Sequence, residues 1–96
     1  MRNEISMQTV VGWDPEQITT EIAGEVVAMS TRKGVYVGLD AMASAVWRRL
    51  EEPRTVEWLC GQLGRDYQGE AETITRDVME LLGGLREVGL LSVRGA

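Results

Sequence analysis

The sequence predicts an α+β domain, a three-stranded antiparallel meander followed by three helices. Three observations carry that expectation. β-Branched and alternating segments cluster in residues 18–39. After Asp40 the apolar spacing switches to the helical period and keeps it to Val88. No linker, repeat or low-complexity tract divides the 96 residues, a length suited to one small domain.

Residues 18–22 mix β-branched and polar side chains and form the first expected strand. Ala23-Gly24 makes a tight connection to the second, residues 25–30. Residues 31–34 supply the next turn, where Gly34 accepts a positive φ. The third strand covers residues 35–39, with Val37 and Leu39 alternating against Tyr36 and Gly38. Short turns between neighbours make the sheet antiparallel.

Asp40 then caps a helix whose apolar positions are Ala41, Met42, Ala45, Val46, Trp47 and Leu50, and Glu52-Pro53 ends it. Thr55 caps a second helix with Val56, Leu59, Cys60 and Leu63 on one stripe. Gly61 and Gly64 weaken it and suggest close approach of a neighbouring helix. The third helix, residues 70–88, has the clearest face: Ile74, Val78, Leu81, Leu82, Leu85 and Val88. Gly83-Gly84 marks a place for a bend or close packing, and Gly89 stops the helix. Residues 90–93 form a short apolar tail. The expected division is a loosely ordered segment, 1–17, and a folded domain, 18–96.

Composition narrows the function classes. There is no histidine and a single cysteine, Cys60. A Cys–His nucleophile pair and a Cys/His zinc site are therefore excluded. The close acids, Glu51-Glu52 and Glu70 with Glu72, sit at helix ends, where solvated carboxylates are ordinary. No catalytic residue, metal site or cofactor is expected, and the chain is read as a non-enzyme. No apolar run approaches the ~18 residues that span a bilayer, and no signal-type segment opens the chain. A cytoplasmic protein without a membrane partner is the expectation.

Three helices with a short second and a longer third outline a winged helix-turn-helix. That outline raises DNA binding as an alternative function, and charge weighs against it. The chain carries 10 basic and 15 acidic residues, net −5. The third helix holds Glu70, Glu72, Asp77, Glu80 and Glu87 against Arg76 and Arg86, net −3. A recognition helix needs donors for base edges and cations for phosphates. No nucleic-acid partner is expected.

What remains is a sheet edge beside a helix. An edge strand presents unpaired N–H and C=O groups. The third strand is the last of the meander, and Gly38 leaves room for another backbone. A guest peptide could add there as a fourth strand and drop side chains toward the third helix.

Three fragments now resemble a known family. They are Val35-Tyr36-Val37-Gly38-Leu39-Asp40 leading into Ala45-Val46-Trp47-Arg48-Arg49-Leu50, then Arg54-Thr55-Val56-Glu57-Trp58-Leu59, and Arg76-Asp77-Val78 with Leu81-Leu82, Leu85 and Gly89-Leu90. Their order and spacing resemble PqqD-like proteins, the recognition elements of ribosomally made, modified peptides (RiPPs), in the stand-alone form of lasso-peptide B1 proteins. Asp40 stands where many relatives have Asn, and both residues cap helices. The resemblance implies non-catalytic binding of a precursor's N-terminal leader peptide. It also implies presentation to a leader-cleaving cysteine protease and to an ATP-dependent macrolactam cyclase. Carried over, the strand would supply Val35, Tyr36 and Val37 for backbone pairing with the leader, with Gly38 beside them. Ile74, Asp77, Val78, Leu81 and Leu82 would line the groove wall. A structural adaptor that binds only a partner enzyme is the other alternative.

Overall fold

The computed structural model describes residues 4–94. Residues 1–3 of the expected N-terminal segment and 95–96 of the expected domain lie outside the described residues. The elements run β1 Val10–Trp13, β2 Gln17–Ile22, β3 Glu25–Ser30, β4 Val35–Gly38, α1 Ala41–Arg49, β5 Arg54–Thr55, α2 Val56–Asp66, α3 Ala71–Glu87 and β6 Leu91–Arg94.

The expected meander is one sheet, in the order β2-β3-β4, antiparallel throughout. A second three-stranded sheet, β5-β1-β6, departs from the expectation. Its central strand comes from the segment expected to be loosely ordered. Val10 to Trp13 pair with Arg94 to Leu91, and Val11 is fully buried. The physical reason is long-range: these four residues gain a strand ladder only when the chain's far end folds back beside them. Asp14 extends the contact by donating its N–H to the Leu90 carbonyl at 2.9 Å.

Trp47 joins the two sheets. Its ring stacks on Trp13 with centroids 5.4 Å apart, and its Nε1–H donates to Thr19 Oγ1 on β2 at 3.0 Å. Trp13 Nε1–H in turn donates to the Trp47 carbonyl at 2.8 Å. Trp47, fully buried, and Trp13, half-buried, thus pack their rings without stranding a donor. Leu50, Leu59, Leu63, Leu82 and Leu90 complete a core in which each is fully buried.

Both expected caps form. The Asp40 carboxylate accepts from Ala43 N–H at 2.8 Å, and Thr55 Oγ1 accepts from Trp58 N–H at 3.1 Å. The glycine readings are corrected. A Cβ built at Gly61 or Gly64 would meet nothing within 4 Å, so neither marks a helix contact. α3 runs unbroken through Gly83 and Gly84, where the same holds.

Candidate peptide-binding groove

β4 pairs with β3 alone among the described residues, so its other side is a free edge. Leu39, just past β4, donates its N–H to the Val26 carbonyl on β3 at 2.8 Å. Amide direction alternates along a strand, so Val37 and Val35 also turn their main-chain groups toward β3. The outward groups belong to Tyr36 and Gly38. This corrects the expectation that Val35 and Val37 pair a guest through their backbones. Val37 offers its side chain instead: with Leu39 it faces inward toward α3, and Leu39 is buried, while Val35 is exposed and does not line the pocket.

The α3 face resolves into two stripes. Ile74, Val78, Leu82 and Leu85 form the inner one, and Val78 and Leu82 are wholly buried. Val78 and Leu82 therefore pack as core with no surface of their own toward the groove, and Ile74 keeps only 8% of its surface. The flanking stripe of Asp77, Leu81, Gly84 and Val88 follows one step round the helix, at i, i+4, i+7 and i+11. Leu81 and Val88 are half-buried, while Asp77 and Gly84 are exposed.

Between β4 and this flanking stripe lies an open pocket of about 330 Å³, lined by Val37, Leu39, Glu80, Leu81, Gly84, Leu85 and Val88. Its lining is aliphatic except for Glu80, and the missing side chain at Gly84 leaves it room. Glu80, Leu81 and Gly84 were visible in the sequence as helix positions. Only Leu81 was singled out, because a groove set by the approach of two elements has no period of its own.

Two polar contacts hold β4 against its neighbours. Ser44, buried on α1, donates its hydroxyl to the Leu39 carbonyl at 3.0 Å and accepts from Val26 N–H at 3.2 Å. At the other end Lys33 Nζ donates to the Glu87 carbonyl at 2.7 Å, tying the β3–β4 turn to the end of α3. A cation there also suits the helix dipole. The groove is thus fixed at both ends. Cys60 is buried elsewhere, between α2 and α3. Desolvation pushes its thiol pKa up, against a smaller lowering from a Thr75 hydrogen bond, which leaves it a poor nucleophile.

Among the described residues no three His, Cys, Asp or Glu side chains gather as a metal site. No described helix is long and apolar enough to cross a membrane. The groove's chemistry is that of a template: outward main-chain donors and acceptors on a free edge, an apolar pocket and flanking carboxylates.

A family model described as coenzyme PQQ synthesis protein D (PqqD) matches residues 25–91. The chain belongs to the PqqD family. The matched region spans the β2–β4 sheet from its second strand, all three helices and the start of β6. Solved structures share the PqqD fold. That of TbiB1 in complex with the TbiA(beta) leader peptide superposes with a TM-score of 0.80 at 28% identity, covering 88% of this chain and 99% of that one. A lasso peptide synthetase B1 complexed with its leader peptide gives 0.75 at 23% identity, covering 85% and 96%. The PqqD truncation of Methylobacterium extorquens PqqCD, a stand-alone RiPP recognition element solved by NMR, gives 0.76 at 21% identity, covering 92% and 94%. No curated protein sequence matches the chain.

Proposed function

We propose that this PqqD-family chain is a non-catalytic recognition element for the N-terminal leader of a ribosomally synthesised precursor of lasso type. The leader adds as a strand to the free β4 edge and seats apolar side chains between β4 and α3. The observation that carries the reading is the outward main chain of Tyr36 and Gly38 beside the Val37–Leu81–Val88 pocket. Two relatives of the same fold are complexes with leader peptides, which supports it.

The bound leader is then presented to a separate leader-cleaving cysteine protease, and an ATP-dependent macrolactam cyclase acts on the released core. The outer face of the β2–β4 sheet supports such hand-over. Ile18, Ile22 and Tyr36 are 55%, 63% and 71% exposed there, an apolar surface available to a second protein.

A leader strand of five or six residues buries roughly 1,000–1,200 Å², the low end for specific interfaces. Ordering it costs about 2–5 kcal/mol. A Kd between about 1 μM and a few tens of nM follows. Calorimetric titration with the leader of the precursor encoded beside the chain's gene tests this. Saturable one-to-one binding in that range is expected; none at about 100 μM, far outside that range, would refute the reading.

A further inference from the structure

We infer that the groove selects an extended segment in which a Lys or Arg precedes the apolar anchor by two to four residues. The inference rests on the leader-binding reading and adds the charge and polarity of the segment.

At the α1 end the groove continues into a second pocket of about 420 Å³, lined by Asp40, Met42, Ala43, Asp77, Glu80 and Leu81. Its charged groups are three carboxylates, with no cation among the lining residues. Asp40 already accepts from the Ala43 N–H. The Asp77 and Glu80 carboxylates form no ion pair with any described residue. Glu80 and Leu81 line both this pocket and the apolar one, so the two form a single trough. Lys33 and Arg86 line a neighbouring pocket toward the far end, with Glu4 and Glu87, and Glu80 stands between that pocket and this one, so the cations lie away from Asp40 and Asp77. The trough is therefore negative at the Asp40 end, and a guest with a cation there is complementary.

Polarity follows from the sheet. β4 runs from Lys33, at the end of α3, to Asp40, beside Asp77. Every pairing in the sheet is antiparallel, and antiparallel addition is also the more stable mode. A guest strand so placed enters at the Asp40 end, and its N-terminal part passes Asp77 and Glu80. From Leu81 to Asp77 is one helical turn, about 5.4 Å, or roughly two residues of strand. The long stem of Lys or Arg extends the reach to about four residues.

The test titrates the neighbouring precursor's leader against the native chain and against Asp77→Asn/Glu80→Gln, at about 20 and about 300 mM sodium chloride. A leader with the cations before its anchor changed to Gln is run in parallel. Both protein changes are near-isosteric and lie on exposed positions. We expect the double variant to bind the native leader about three- to tenfold more weakly at low salt, with a flattened salt response. The Gln leader should lose as much against the native chain and nothing further against the variant. Glu72→Gln, an acid on α3 outside the trough, should leave affinity unchanged. Equal affinity and salt response in native and double-variant chains would overturn the inference while leaving leader binding intact. So would an equal loss in Glu72→Gln, or tight binding of a leader with no cation in that window. Absence of any binding by the native chain would overturn both.

Discussion

Leu81 and Val78 sit three positions apart on α3 and face different neighbours. Leu81 is half-buried on the groove wall, while Val78 is sealed in the core. Aspartate at the two sites should therefore do different things. Leu81→Asp places a carboxylate at a wet groove and should leave the far-ultraviolet dichroism and melting of the chain nearly native. Leader affinity should fall at least tenfold, because the apolar anchor loses its seat. Val78→Asp buries an unpaired charge and should unfold a domain this small, a cost of several kcal/mol. Comparing the two by thermal melt and titration separates groove from core. The sequence alone placed both on one apolar face, since 3.6-residue periodicity marks a broad stripe and not its inner and outer margins. Leu82 and Leu85 were legible as core from that stripe alone; that Ile74 and Val78 share the inner margin with them, while Leu81 stands on the outer one, was not.

At the scale of elements, α3 carries its two glycines on different sides. Gly84 lines the apolar pocket, and Gly83 lies outside it. A Cβ at either meets nothing within 4 Å. Alanine at each should stabilise the helix by about 0.8–1.0 kcal/mol, raising the melting temperature by roughly 4–8 °C. Only Gly84→Ala fills space meant for a guest, so it alone should weaken leader binding. Equal affinities for the two variants would place the leader elsewhere. The elements themselves were readable: the caps at Asp40 and Thr55, the stop at Gly89 and the meander all follow from local patterns. β1 was not readable, although Val10-Val11-Gly12-Trp13 is apolar enough for a strand. Its partners, Arg54-Thr55 and Leu91 to Arg94, are more than 40 residues away, and pairing at that distance leaves no local signature.

For the whole molecule, the second sheet closes the domain and leaves the first sheet's β4 edge open. Trp13, Trp47 and Thr19 hold the two sheets together, while Ser44 and Lys33 hold β4 to α1 and α3. A rigid trough reduces what must be ordered on binding to the guest itself. It also fixes which main-chain groups a guest can reach. Amide hydrogen exchange resolved by residue tests that most directly, with and without saturating leader. The Tyr36 and Gly38 amides should exchange at least tenfold more slowly in the complex, while those of Val35 and Val37, already turned to β3, change little. Unchanged exchange at Tyr36 and Gly38 in a saturated complex would contradict strand addition to this edge.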